Sequence, residues 1–331
     1  MNRLGSPAWM LAAFVAGILF IYSFGDGGDY VKPAIGQQGG IMVLLDKVEA
    51  LTQRVTELEA QIAELGDAET KLAAISDDGA TFTITGRNVQ ILSGSGATDD
   101  GCANLTICDS LTGLGNLIIG YNETNLLDVI RTGSHNLVIG IGHEYTGVGG
   151  LVGGINNAIS NRYTAAIGGT GNTVSGYGAS VSGGSNNTAS GNLSSVSGGA
   201  YNAAIGGLSS VSGGYSNNAN GAESSISGGY SNTTDAFRAS VGGGSSNTAS
   251  GENASVSGGS SNTASGENAS VSGGANNTAS GESASVSGGY NNTAINAKAS
   301  VSGGWNCFES RSNGWSVGYT SNGCQPTLAN N

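Results

Sequence analysis

Charge is scarce in this chain. Charged side chains make up 10% of its 331 residues, against about 25% in an ordinary soluble domain. Basic residues are scarcest: 11 Lys and Arg face 23 Asp and Glu, for a net charge of −12. Nucleic-acid binding needs cationic patches that displace counterions from phosphates, so that class of function is excluded. Histidine occurs only as His135 and His143. Without a carboxylate or a Cys pair taken to be at hand for chemistry, both read as structural or solvated. There is no nucleophile elbow, P-loop or HExxH motif, and the many serines recur evenly, whereas a catalytic serine is singular. Calcium-binding repeats of the GGxGxD type need an Asp in every turn, and the turns here lack it. The expectation is a protein with no enzymatic activity, no metal and no cofactor.

Cysteine is limited to four residues, in two local pairs: Cys102 with Cys108, and Cys307 with Cys324. Neither pair has CxxC spacing, which argues against zinc. An even count in an exported chain points to two disulfides; buried free thiols are the alternative.

Glycine is abundant, with 59 residues, and Ser, Asn, Thr and Ala fill most of the second half. Such a bias raises the possibility of disorder. It is periodic, however, and a fixed period signals repeated structural units. A Gly-Gly pair recurs every 15 residues, from Gly153-Gly154 to Gly303-Gly304, eleven times without a slip. The unit reads A-S-V-S-G-G-x-x-N-T-A-S-G-x-x. Fifteen residues suit two short strands and two turns, and alternation along a strand puts every second side chain on one face. One strand then carries Val181, Val196, Val211, Ile226 and their successors inward; the other carries Val174, Ala189, Ala204 and Ala219. Asn157, Asn172, Asn187 and so on to Asn292 stand four residues after the first Gly of each pair, suited to turns and to a stacked amide ladder. Cys307 takes the eleventh Asn position and, bridged to Cys324, would end the ladder as a cap.

The N-terminus bears an uncharged apolar run, Ala8 to Phe24, behind Arg3 and before Asp26 and Asp29. That charge asymmetry fits an exported chain. The run fits either a signal peptide cut before Asp26 or a signal anchor, since about 17 apolar residues are the minimum for a span. After a linker at 26–40, a heptad sets in. Ile41, Val48, Val55 and Ile62 fall at a; Leu44, Leu51, Leu58 and Leu65 fall at d. Four unbroken heptads predict a coiled coil over 41–75, weakened at Gly66-Asp67. β-branched a with Leu d is a pattern of parallel dimers. Yet the segment Arg54-Val55-Thr56-Glu57-Leu58-Glu59 resembles a short trimer-favouring motif in which Arg at g reaches Glu at e of the next helix. The core of the repeat favours three copies. One Val per turn contributes roughly 1.5–3 kcal/mol on burial, against ~1–2 kcal/mol per residue to order the backbone. A single column therefore reads as underpacked, and three columns sharing a centre would fill it.

The repeat resembles the head domain of YadA-like trimeric autotransporter adhesins, a left-handed parallel β-roll. The resemblance rests on elements such as Ala166-Ile167-Gly168-Gly169 and Ser255-Val256-Ser257-Gly258, followed by N-T-A-S-G, and covers about residues 115–305. Asn116-Leu117-Ile118-Ile119-Gly120 and Asn136-Leu137-Val138-Ile139-Gly140 look like earlier, less regular turns. The family's repeat is commonly nearer 14 residues. Its C-terminal β-barrel anchor and its neck motif are absent, and its stalk follows the head, whereas here the coil precedes it. The resemblance implies a bacterial, trimeric, surface or secreted binding module; it transfers no receptor and no binding residues.

The resulting fold class is an all-β repeat: a left-handed parallel β-roll of 15-residue turns behind a short parallel, trimeric coiled coil. The organisation is a signal peptide or anchor at 1–25, a linker at 26–40, the coil at 41–75, and a connector with short strands at 76–114. The β-roll head follows at 115–304, with a cap at 305–331. The expected function is an exported homotrimeric surface protein whose head attaches to an extracellular protein or glycan receptor. An ice-binding solenoid and a phage-type fibre are the alternatives; the first lacks a repeated T-x-T face, and the apolar N-terminus argues against the second. Two surface ladders are candidate contact points. Glu252, Glu267 and Glu282 share one turn position, and Tyr215 with Tyr230, like Tyr290 with Trp305, share another.

Overall fold

The computed structural model describes residues 35–72, 75–100, 111–123, 129–318 and 324–326. The apolar run at 8–24, and Cys102 and Cys108, lie outside them. Among the described residues no helix is long and apolar enough to cross a membrane. The chain divides after Val89.

Among its described residues the first unit holds one helix, α1 (Ile35–Leu72), and a hairpin of Ile75–Asp77 with Phe82–Ile84. The helix begins earlier than the heptad and passes through Gly66, because one Gly among strong helix formers costs only about 1 kcal/mol. Among the described heptad residues, Leu44, Leu51, Leu58, Ile62 and Leu65 are exposed and Val48 is half-buried. Arg54 Nη1 pairs with Glu57 Oε2 of its own helix at 3.2 Å, and not with Glu59. The hairpin turn is closed by Asp78 Oδ1, which accepts the Ala80 and Thr81 amides at 2.9 and 2.6 Å.

The second unit is a parallel β-solenoid built on two ladders. One sheet of 15 strands carries the Val positions and one of 12 carries the Ala positions. At ~4.8 Å per level the first spans roughly 60 Å. The turn from Ser255 to Ala269 shows the plan. Ser255–Val256 turns Ser out and Val in. Gly258-Gly259 makes a corner, and Ser260 bridges to the next turn. Asn262 is buried, Thr263–Ala264 forms the second strand with Ala in, and Ala269 is buried before the next strand begins. Gly259, Ser261 and Asn268 adopt left-handed φ of 89°, 56° and 57°. These corners explain why Gly, Asn and Ser crowd the repeat, since such residues visit that region most readily.

The sequence leads to an expectation of an underfilled column, and the structure corrects it. Val256 and Ala264 are 1% and 0% exposed, and every inward Val and Ala of the two ladders from Val174 to Val301 is similarly closed off within one chain. The inner faces pack on each other because small residues on one side admit a close approach. A shared central core is therefore not required by the repeat.

The stack begins where the irregular turns were expected. Leu117–Ile119 pairs with Leu137–Ile139, and Leu137 with Leu151. Two 14-residue steps, Leu137 to Leu151 to Ala165, precede the first 15-residue step to Ser180. At the far end the parallel pairing runs on past Gly304 to Trp315–Gly318, and Cys324–Pro326 then folds back antiparallel. That reversal, with a Pro in the last strand, blunts the edge.

Cys307 is buried at this end, and among the described residues no cysteine is free. Cys324 stands opposite Gly318, and a Cβ on Gly318 would come within 2.7 Å of Cys307 Sγ. The side chain of Cys324 itself lies outside the described residues. We predict a Cys307–Cys324 peptide in a non-reducing digest, and a loss of about 3 kcal/mol from the end of the column on reduction, as for other loops of this length. Two separate alkylated peptides would refute the pairing.

Candidate functional site

The most ordered array of polar groups is internal. Each Asn of the ladder joins three turns of backbone. Asn262 accepts the Asn277 amide on Oδ1 at 3.0 Å, while its Nδ2 donates to Gly258 O at 2.9 Å and to Gly274 O at 3.0 Å. Its own amide donates to Asn247 Oδ1 at 3.0 Å. The pattern repeats from Asn172 to Asn292. This differs from an amide ladder: side-chain-to-side-chain bonds occur at Asn217 and Asn232, at 3.2 and 3.1 Å, and the remaining bonds hold backbone. The arrangement satisfies each buried amide fully, which is what lets a polar residue stand at 0% exposure in every turn.

Two levels of the ladder carry substitutes, and the His143 amide in turn donates to Asn122 Oδ1 at 2.8 Å. Cys307 donates its amide to Asn292 Oδ1 at 2.9 Å and has no amide with which to continue. His143 holds the Asn position one 14-residue step before Asn157. Its Nδ1 accepts the Asn157 amide at 3.3 Å, which places the proton on Nε2, 3.1 Å from Ile139 O. Burial pushes its pKa down, so the ring is neutral, as an Asn mimic must be. The expectation that His143 is structural thus acquires a mechanism.

Two buried carboxylates, neither singled out in sequence, sit near the ends of the column. Asp100 accepts Ser93 Oγ at 2.5 Å, Ser95 Oγ at 2.7 Å, and the amide and hydroxyl of Thr112, both at 2.8 Å. Burial raises its pKa, but hydrogen bonds from Ser134, Ser93, Thr112 and Ser95 outweigh that and hold it well below the ordinary value. His135 lies beside it, with Nδ1 at 3.8 Å, so the reading of His135 as lacking a carboxylate neighbour is corrected. The trio is not a nucleophilic relay. His135 Nε2 takes the backbone amide of Ser93 at 3.2 Å, and the Ser93 hydroxyl bonds straight to Asp100.

Glu309 is 2% exposed. Hydrogen bonds from Arg311, at 2.8 Å to Nη2 and 3.0 Å to Nε, lower its pKa most; burial opposes them and Ser316 Oγ adds a bond at 2.6 Å. The net effect is a fall from 4.5 to about 2. A depressed carboxylate stabilises the folded state above its unfolded pKa, and that contribution is lost as pH falls through the folded one. The window here runs from about 4.5 down to about 2. It amounts to on the order of 3 kcal/mol at ~1.4 kcal/mol per unit. Acid should therefore loosen the C-terminal turns before the middle of the column, which has no such group. Hydrogen exchange at pH 3 and pH 7 checks this: amides of 300–318 should lose protection while those of 240–270 keep it.

Of the surface ladders, Glu252, Glu267 and Glu282 do stand one turn apart in a single exposed column, with no cation paired to them among the described residues. The aromatic pairs also meet. Tyr215 and Tyr230 stack with centroids 5.6 Å apart and planes 7° apart. Tyr290 and Trp305 are edge-on at 6.3 Å. Stacked rings spend their inner faces on each other, which leaves edges and outer faces for any sugar. Tyr201 joins the first pair at 5.3 Å, a contact hidden in sequence because it occupies a different turn position. Among the described residues no group of three His, Cys, Asp or Glu side chains is placed to hold a metal ion. No protein-family model matches the chain, and no curated protein sequence matches it.

Proposed function

We propose that the chain is an exported, homotrimeric surface protein of adhesin type. A parallel coiled coil of α1 presents a left-handed β-roll, which attaches to an extracellular protein or glycan. One arrangement supports this reading: an exposed heptad seam and a long column with repeated, polar, outward-facing positions occur in the same chain. A seam of apolar residues left in water is stabilised by meeting its own copies. A column that presents the same positions level after level suits multivalent, individually weak contacts. The test has two parts. Sedimentation of the full chain should give three chain masses, and beads coated with it should bind extracellular-matrix proteins or arrayed glycans above an uncoated control. A monomer removes the coil; binding to neither class removes the adhesin.

A second reading rests on a separate observation. Ser180, Ser195, Ser210 and their successors to Ser300 form an unbroken outward ladder, one hydroxyl per level. A regular hydroxyl face can order water, as an ice-binding surface does. Thermal hysteresis in the purified chain would establish it, and its absence would discard it.

A further inference from the structure

The outer face of the Val sheet changes character once along the column. Its first strands turn apolar side chains outward: Leu117, Ile119, Leu137, Ile139, Leu151 and Ile167. Leu117, Ile119, Ile139 and Ile167 are 46%, 53%, 41% and 56% exposed. From the second strand on they are not core, since the alternate residues Val138, Val152 and Ala166 point inward at 0%; in the first strand Ile118 is exposed along with Leu117 and Ile119. The next strand pairs Ala165 with Ser180, and the same outward position is Ser at every level from there to Ser300. The third outward position changes in the same way, from Ile167 to Ser182, Ser197 and Ser212. Parallel pairing runs unbroken across the boundary, although the step lengthens there from 14 to 15 residues.

We infer that this patch is a second self-association site, at which copies of the chain meet while the serine-faced levels beyond Ser180 stay apart. The inference rests on the proposed self-association of α1. Area favours a second copy over a foreign partner. The four exposed side chains and the half-buried Leu137 and Leu151 offer roughly 400–500 Å² per chain, short of the ~800 Å² per partner of a free-standing interface. A foreign protein would have only that area. A copy of the same chain arrives already tethered through the heptad seam, at an effective concentration in the mM range. The six residues carry no charge, so they offer no steering to a foreign partner.

Two measurements on the full chain decide the matter. Ile139→Cys and Ser212→Cys, made separately, are treated with a short thiol cross-linker. The first should give an intermolecular product at least tenfold above the second. The triple change Leu137→Ser, Ile139→Ser and Ile167→Ser installs what later turns carry at equivalent positions. It should raise the concentration at which the oligomer dissociates by tenfold or more. A monomeric wild type sinks the α1 reading and this inference together. An oligomeric wild type with equal cross-linking at both sites, or with an unchanged dissociation midpoint in the triple variant, sinks the patch alone. A lowered melting temperature with an unchanged midpoint means that the chain's own residues cover the patch, which also overturns the inference.

Discussion

Gly259→Ala should break the column at its own level, whereas Gly258→Ala, one residue earlier, should leave it intact. Gly259 has a φ of +89°, and a Cβ there would lie 2.1 Å from Gly274 O and 2.5 Å from Asn262 Nδ2. Neither neighbour can give way cheaply. Gly274 O accepts the Ser260 amide at 2.9 Å, and Asn262 is fixed by its bonds to backbone. The backbone strain alone costs roughly 1–3 kcal/mol, and each buried bond lost adds about 1–3 kcal/mol. A total of roughly 4–6 kcal/mol follows. At Gly258 nothing lies within 4 Å of an added Cβ, and its φ is one that other residues adopt, so a change of under ~1 kcal/mol is expected. A solenoid couples mainly nearest neighbours, so Gly259→Ala should also split one unfolding transition into two. Urea denaturation followed by circular dichroism distinguishes the variants; equal midpoints would show that the corner tolerates a side chain.

The repeat itself supports this contrast. A third glycine position, Gly251, Gly266 and Gly281, looks as crowded, with an added Cβ about 2.0 Å from the next backbone carbonyl. Yet the equivalent positions hold Asn161, Ala236 and Asn296. Their φ is not left-handed, so a small shift of the turn makes room. The second glycine of the pair combines crowding with positive φ, and none of its eleven copies is replaced.

The period, the inward Val and Ala, and the buried Asn were all legible in sequence, because eleven near-copies average out local accident. What the period hides is how the turn closes. It marks two adjacent glycines without saying which one the backbone needs. It also led to a wrong expectation about packing. Counting one Val per turn ignores that Ala and Gly on the opposing strand bring the sheets close, so the column fills itself. The buried carboxylates were illegible for the opposite reason. Asp100 and Glu309 each occur once, near the ends, and their partners Thr112, His135 and Ser316 are assembled by the fold. His143 was within reach: a 14-residue step back from Asn157 lands on it, but the 15-residue period steps past it.

The Asn ladder is the second place where one substitution should cost much. Asn262→Ala removes the acceptor of the Asn277 amide and the donor to Gly258 O and Gly274 O. The Asn277 amide and Gly258 O are then left unpaired in a place water does not reach, at ~1–3 kcal/mol each, for a loss of roughly 2–6 kcal/mol, while Gly274 O keeps the Ser260 amide. Asn262→Asp separates shape from protonation. The carboxylate can still accept the Asn277 amide, but its other oxygen faces two carbonyl oxygens with no proton to offer. Burial and those oxygens push the folded pKa of the new acid above its unfolded value of about 3.9. The destabilisation is then complete above the folded pKa and is relieved as pH falls through it, since the protonated acid can donate to one carbonyl. This sign is the reverse of that at Glu309, where acid weakens the fold. The gap in melting temperature between wild type and Asn262→Asp should therefore narrow from pH 7 to pH 4, while the gap for Asn262→Ala stays constant. A gap for Asn262→Asp that ignores pH would mean that the side chain swings out to water, and that the buried amide is not what ties one turn to the next.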